Sequence, residues 1–117
     1  MTDLKIYRVF YTFYATDTSV AADDAVPMNE ADIYSELLGS LTEDGDFIGL
    51  IDNRGTTLQV MYEAKGDRYW VELPSPQRRG SYGARLSFDA LTELFKVLPR
   101  EFDPESLTLL EFQSWQT

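Results

Sequence analysis

The chain has 117 residues, with 20 Asp and Glu against 10 Lys and Arg, and it contains neither His nor Cys. This length suits one domain with one hydrophobic core, because a chain of this size buries roughly 65% of the surface that it exposes when unfolded. The missing His and Cys exclude disulfides, zinc-thiolate sites, iron–sulfur clusters, and Ser-His-Asp or Cys-His catalysis within these residues.

The first predicted element is a long strand over residues 4 to 15, where aromatic and β-branched residues occupy both alternating sets. Two apolar sets predict a strand that is covered on both faces for much of its length. Residues 16 to 27 are small and acidic, and they show the period of neither a strand nor a helix. This segment is therefore predicted to be a loop.

A first helix is predicted over residues 30 to 41. Asn29 is a suitable N-cap, because its side chain can accept a hydrogen bond from the first turn. Apolar residues then follow at helical spacing, which indicates one buried face. Gly39 weakens this helix. The predicted buried positions are Ile33 or Tyr34, Leu37, Leu38 and Leu41.

The middle of the chain predicts a meander of antiparallel strands. Residues 47 to 51 are apolar, whereas residues 58 to 63 and 68 to 73 alternate apolar with polar side chains, and a glycine turn follows each of the first two strands. Pro74 and Pro76 are predicted to end the third strand, because proline lacks the N–H that a sheet needs. Residues 77 to 81 then predict a basic loop, and residues 82 to 86 a fourth strand.

A second helix is predicted over residues 88 to 98, with Ser87 as its N-cap and Pro99 at its end. The tail from residue 107 to residue 115 is too apolar for solvent, which predicts a last strand or a short helix. This order of elements predicts a single α+β domain over residues 1 to 117, in which two helices pack against an antiparallel sheet of about five strands.

The charges are distributed unevenly along the chain. Residues 9 to 53 hold ten acids and no base, whereas the remaining residues hold ten of each. A surface of one sign attracts a basic partner and speeds their encounter. The other interpretation is a solvated surface that only keeps the protein soluble. The predicted partner-binding residues are Asp17, Asp23, Asp24, Glu30, Asp32, Glu36, Glu43, Asp44 and Asp46.

Two other motifs carry weaker functional signals. Residues 43 to 46 place three acids in one turn, where a hard cation could bind, but their spacing does not match a calcium loop. Arg78, Arg79 and Arg85 surround a glycine-containing loop that could contact phosphate, but it matches neither a P-loop nor a dinucleotide fingerprint. Arginines paired with neighbouring carboxylates are the simpler interpretation. No metal, cofactor or catalytic residue is predicted.

The aromatic residues also allow two interpretations, a binding surface or the hydrophobic core. Trp70, Trp115 and several tyrosines could line a ligand groove or an interface if they are exposed together. Packing in the core or on a sheet face is the simpler interpretation. The tyrosines concerned are Tyr7, Tyr11, Tyr62, Tyr69 and Tyr82.

The segment from Phe47 to Pro99 combines a strand and turn, a hairpin, and a strand that leads into a helix. Its characteristic stretches are Leu58-Gln59-Val60, Trp70-Val71-Glu72-Leu73-Pro74, Gly80-Ser81-Tyr82 and Leu86-Ser87-Phe88-Asp89-Ala90-Leu91. In this order and in its acidity the chain resembles the small immunity proteins of bacterial toxin systems. The resemblance covers somewhat less than half of the chain. It implies a non-catalytic α+β binder whose partner is a cognate toxin, often a nuclease.

The sequence therefore predicts a non-enzymatic binding protein that neutralises a basic partner, most simply an immunity protein that blocks a toxin or nuclease domain. The alternatives are a nucleic-acid mimic that inhibits a defence nuclease and, with less support, a small ligand-binding domain. A net charge of −10 disfavours direct binding to nucleic acid. The N-terminal residues lack a secretion signal, and no apolar run reaches the ~18 residues of a membrane span, so a cytoplasmic protein without membrane contact is expected.

Overall fold

An eight-stranded antiparallel sheet is the main element of the computed structural model, which describes residues 5–115. The strands are β1 (Ile6–Phe13), β2 (Thr18–Val20), β3 (Val26–Asn29), β4 (Phe47–Ile51), β5 (Thr57–Glu63), β6 (Arg68–Ser75), β7 (Gly80–Leu86) and β8 (Glu111–Ser114). They lie in the order β2-β1-β4-β5-β6-β7-β8, and β3 pairs with β1 beyond the end of β2. The predicted α+β class and antiparallel sheet are confirmed, but the predicted number of about five strands is wrong.

Strands β2 and β3 account for two of the additional strands. The predicted loop over residues 16 to 27 instead contains β2, a 3-10 turn (Ala22–Asp24) and the start of β3. Both strands are too short to show a period of two, and an acidic turn separates them. They form because β1 offers unpaired backbone groups on the edge that faces away from β4.

The first helical segment differs from the regular helix that was predicted over residues 30 to 41. It begins as one α-helical turn, α1 (Glu30–Asp32), and continues as a π-helical turn (Ile33–Leu37) and a 3-10 turn (Leu38–Ser40). The predicted cap is confirmed, because the Asp32 N–H donates to Asn29 Oδ1 at 2.8 Å. The predicted buried face is also confirmed at Ile33, Leu37, Leu38 and Leu41. Burial of apolar side chains thus outweighs regular helical hydrogen bonding over this short segment.

The second helix, α2 (Phe88–Lys96), begins where the sequence predicted and ends two residues earlier. The Ala90 N–H donates to Ser87 Oγ at 3.1 Å, which confirms the predicted cap. Leu91 and Phe95 are buried against the sheet. The apolar tail then returns to the sheet as β8, an edge strand paired with β7.

The first strand starts at Ile6, and Leu4 of its predicted range lies outside the described residues. Strand β6 continues through Pro74 to Ser75, although Pro74 was predicted to end it. Beyond the Gln59–Glu72 pair β6 is bonded to β7 alone. Proline is tolerated at this position, because the edge of β6 that has no partner strand in the described chain needs no backbone N–H to donate a hydrogen bond.

One hydrophobic cluster fills the space between the helices and one face of the sheet. The strands contribute alternate residues to it, so every second side chain of the central strands lies on the opposite face. The strand residues of the cluster include Tyr7, Val9, Phe13, Ile48, Leu50, Leu58, Val60, Tyr69, Val71 and Leu73. The opposite face is called the open face below, because neither α1 nor α2 covers it.

Two glycines of the open face lie beneath aromatic rings. A Cβ atom at Gly49 would overlap the Phe10 ring, and a Cβ atom at Gly83 would overlap the Trp70 ring. Gly49 is the direct cross-strand neighbour of Phe10, and Gly83 lies diagonally from Trp70. Each ring therefore rests on the backbone of a neighbouring strand, and Phe10 is only 9% exposed on a face without a covering helix.

We expect Gly49→Ala to lower the free energy of unfolding by about 1–3 kcal/mol, the range for overpacked sites, in urea denaturation. Gly39→Ala is the matched control, because a Cβ atom there meets nothing within 4 Å. That control should leave stability unchanged or raise it by up to about 1 kcal/mol. Equal stability of the Gly49→Ala variant and the parent protein would show that Phe10 does not rest on Gly49.

Candidate functional site

Acids of residues 9 to 53 lie at both ends of strand β1. Glu30 lies near the start, where its Oε2 accepts from the Lys5 N–H at 2.6 Å. Asp17 lies near the end, in the β1–β2 turn, and the turn before β4 meets β1 at the same place. We call these residues the acidic rim: Asp17, Asp23, Asp24, Glu30, Asp32, Glu36, Glu43 and Asp44.

The ninth predicted partner-binding residue, Asp46, does not belong to this surface. Its side chain is fully buried, and its two oxygens accept three backbone N–H groups, from Tyr14 at 2.9 Å, Thr42 at 3.0 Å and Glu43 at 2.8 Å. This carboxylate therefore ties the turn before β4 to the end of β1. The prediction of Asp46 as a binding residue is corrected, because a sequence shows the number of acids in a turn but not their direction.

Asp52, the last acid of residues 9 to 53, is buried in the same way. Oδ1 accepts from the Arg54 and Thr56 N–H groups, both at 2.9 Å, and Oδ2 accepts from the Phe102 N–H at 2.8 Å. It closes the β4–β5 turn and fixes the segment after α2 against that turn. Two of the ten acids therefore stabilise the fold and leave eight for the surface.

The rim carboxylates are not neutralised by ion pairs within the described part of the chain. The four ion pairs between residues 5 and 115 join bases to Glu63, Glu93 and Glu101, all outside the rim. Seven of the eight rim residues are exposed and Glu30 is half-buried. Like charges so arranged repel one another, and a partner of opposite sign relieves that repulsion.

Tyr14 is an exposed aromatic side chain among the rim carboxylates at the end of β1. It is 61% exposed, although its backbone N–H is held by the buried Asp46. The Asp17 N–H donates to the Tyr14 carbonyl at 3.2 Å, and Glu43 and Asp44 lie in the turn bound by Asp46. A tyrosine in such surroundings presents a large contact area on a fixed backbone, as is common at protein interfaces.

The end of the rim also contacts the β5–β6 hairpin. Asp44 Oδ1 accepts from the Ala64 N–H at 3.0 Å. The Tyr62 hydroxyl donates to Asp67 Oδ1 at 2.8 Å, and this bond raises the pKa of Tyr62 to about 12. Tyr62 therefore remains a protonated donor at neutral pH. Between the turn and the hairpin lies a cleft of about 270 Å³, lined by Asp44, Gly45, Met61, Tyr62, Glu63, Lys65 and Arg68.

The open face carries two cross-strand rows of side chains. In the first row an aromatic residue lies on each side of a methionine, and in the second row two glycines alternate with larger residues. The first row is Phe47, Met61, Trp70 and Arg85. The second row is Phe10, Gly49, Gln59, Glu72 and Gly83.

The space between these side chains is a groove of about 390 Å³ above β5. Its lining residues are Phe10, Phe47, Gln59, Val60, Met61, Trp70 and Glu72. Phe10 and Phe47 contact edge to face, with ring centroids 6.1 Å apart. Trp70 is one of the aromatic residues that the sequence indicated as candidates for a ligand groove or an interface, whereas Phe10, Phe47 and Glu72 were not indicated. The available signal was the pair of glycines within strands, which indicates close approach of another group.

Two of the three arginines around the predicted basic loop have hydrogen-bond partners among the described residues. Arg85 lies on the open face and donates to Glu63 Oε1 at 2.9 Å, whereas Arg78 donates to the Tyr82 hydroxyl at 2.7 Å. Pairing with a neighbouring carboxylate, the simpler interpretation, thus holds for Arg85. Among the described residues no group of three or more carboxylates is arranged to hold a metal ion, and the inward direction of Asp46 removes one ligand from the turn at residues 43 to 46.

Comparisons with protein families, characterised proteins and solved structures find no match for this chain. In the described range no helix is both long enough and apolar enough to cross a membrane.

We expect Asp46→Ala to lower the free energy of unfolding by about 3 kcal/mol, because three N–H groups lose a charged acceptor. Urea denaturation measures this change. Asp23→Ala is the matched control, since this exposed rim acid should change stability by no more than about 0.5 kcal/mol. Similar small effects of both substitutions would contradict the structural role of Asp46.

Proposed function

We propose that the protein is a non-enzymatic binding protein that neutralises a basic protein partner, in the way that an immunity protein blocks its cognate toxin. One observation carries the proposal, namely that the eight rim carboxylates, seven of them exposed, take part in none of the four ion pairs between described residues. Like charges that no ion pair offsets repel one another in the free protein, and a basic partner relieves that repulsion. The resemblance of residues 47 to 99 to immunity proteins supports the same function.

The charge of the rim acts at a distance. A one-signed surface raises the rate of encounter with an oppositely charged protein by a factor of about 10 to 1,000 at low salt. Toxins that cleave nucleic acids bind phosphate through basic residues, so an acidic inhibitor is attracted to the surface that it has to cover. Stoichiometric covering of an active site requires no catalytic group on the inhibitor.

Contacts of short range must then hold the complex together, because exposed ion pairs add little affinity. Tyr14 supplies such a contact at the end of β1, where it is 61% exposed beside the rim carboxylates. A tyrosine ring has few rotatable bonds and buries a large area, which makes it an efficient anchor. The proposed site of action is the cytoplasm, where an immunity protein protects its own cell.

The test measures association with the protein encoded by the adjacent gene, purified as an inactive toxin variant. We expect the double variant Asp23→Lys/Asp24→Lys to reduce the association rate constant by at least about fivefold at low salt, because the steering field is weakened. The difference in association rate constant between the variant and the parent protein should decrease as the Debye length falls to about 8 Å at 0.15 M salt. Stopped-flow fluorescence at several salt concentrations measures the association rate constant of each protein and its dependence on salt.

The matched control is the double variant Glu105→Lys/Glu111→Lys, which changes two exposed acids outside the rim. Both double variants change the formal net charge from −10 to −6. An equal effect from the two would mean that net charge alone is responsible. The absence of binding to the adjacent gene product, or of protection from it in a bacterial host, would overturn the immunity function itself.

A further inference from the structure

We propose that the open-face groove binds an arginine or lysine side chain of the basic partner, with the aliphatic stem against Phe47 and Met61 and the charged head at Glu72. This inference rests on the proposed function, because it adds to Tyr14 a second contact of short range with the same basic partner. It differs from the rim in chemistry, since the groove is mainly apolar and contains a single carboxylate.

The groove is bounded on two sides by side chains of neighbouring strands. Met61 and Gln59 of β5 form its floor, with Phe10 and Phe47 on the β1–β4 side and Trp70 and Glu72 on the β6 side. Its volume of about 390 Å³ is at the lower end of the range for ligand sites. Met61 is 37% exposed at the centre of this floor. An extended aliphatic stem would remove that surface from water.

The walls of the groove are fixed before any partner binds. Phe10 lies on Gly49, and Trp70 lies on Gly83, so that neither ring has room to turn toward the sheet. Phe47 is held edge to face against Phe10, with ring centroids 6.1 Å apart. A preformed site loses little side-chain entropy on binding, which favours affinity.

Glu72 gives the groove its preference for a cation. Its Oε2 accepts from Trp70 Nε1 at 3.2 Å and from Ser81 Oγ at 3.1 Å, and both donors are neutral. No hydrogen bond between described residues uses Oε1, and none of the four ion pairs includes Glu72. The carboxylate is thus oriented but not neutralised. A guanidinium or ammonium group supplies the missing charge.

The open face already contains an intramolecular example of this recognition. The Arg85 guanidinium carbon lies 4.8 Å from the centroid of the Trp70 ring, and Arg85 Nε donates to Glu63 at 2.9 Å. Aromatic rings attract cations through the negative charge of their faces. Glu63 has its arginines within the chain, whereas Glu72, on the adjacent strand of the same face, has none among the ion pairs of the described residues.

The groove also adjoins the cleft beside the acidic rim. Met61 lines both the groove and the cleft of about 270 Å³ that reaches Asp44. A basic partner attracted by Asp44 and its neighbours is therefore brought to the same side of the molecule that opens into the groove. This proximity favours a protein partner over a free small molecule.

The experiment titrates the full chain with the peptide acetyl-Gly-Arg-Gly-amide and follows ¹H–¹⁵N NMR spectra at pH 7. We expect shifts at the Trp70 indole N–H and at the amides of Phe47 and Met61. The same peptide with citrulline, a neutral analogue of arginine, should bind at least fivefold more weakly. Equal binding of the two peptides, or shifts confined to other regions, would overturn the proposal.

Glu72→Gln keeps an oxygen acceptor for Trp70 and Ser81 but removes the charge, and it should weaken binding of the arginine peptide at least fivefold. Glu111→Gln is the matched control, because Glu111 pairs with Gly83 on the same face outside the groove and should change affinity less than twofold. If Glu72→Gln does not fold, Met61→Lys at an exposed position serves instead and should block the groove. Unchanged binding in the folded groove variant would contradict the proposal.

The two proposals fail in distinguishable ways. If the rim variants slow association but the arginine peptide does not bind, the immunity function stands and the groove proposal is wrong. If the peptide binds in the groove but the adjacent gene product does not, the groove is a site for cationic side chains and the proposed partner is wrong.

Discussion

The arrangement of this molecule depends on one constraint, which is that two short helices cover a single face of an eight-stranded sheet. No helix of the described chain covers the other face, so its apolar side chains are shielded from water only by one another and by the backbone of neighbouring strands. Aromatic rings lie on glycines of neighbouring strands, at Phe10 on Gly49 and Trp70 on Gly83. The open face is consequently partly apolar, and a groove lies on it between the rings of Phe10, Phe47 and Trp70.

Carboxylates serve two opposite purposes in this chain. Asp46 and Asp52 are buried, and each accepts from three backbone N–H groups, two in a turn and one in a segment packed against it. Their burial is possible because several hydrogen bonds to the charged form compensate for the loss of water. Most rim carboxylates instead lie in solvent, and none belongs to an ion pair between described residues, so their mutual repulsion raises the electrostatic energy of the free protein. An oppositely charged partner lowers that energy, so the same charges that cost stability in the monomer favour association.

The sequence predicted the elements that have a clear hydrophobic period or a helix cap. It did not predict the elements that form only because they pair with a strand distant in sequence. The strands at residues 47 to 51 and 82 to 86 and the cap at Ser87 were predictable from local patterns. Strand β2 was not, because three residues carry no period and exist as a strand only through β1. The open-face groove joins residues from β1 to β6, and its position follows from strand register. The sequence contained the acids of the rim, but it did not show that Asp46 points inward.

In the proposed complex the rim mainly raises the association rate, and the groove mainly lengthens the lifetime of the complex. Exposed charges act over about 10 Å and affect mainly the association rate, whereas desolvated contacts in a fitted site affect mainly dissociation. A rim without an anchor would give fast but short encounters, and a groove without a rim would give slow ones. Because Met61 lines both the groove and the cleft beside Asp44, a partner attracted by the rim reaches the groove without leaving this side of the molecule. The fold thus places the long-range attraction of the rim and the short-range contacts of the groove on the same side of the molecule.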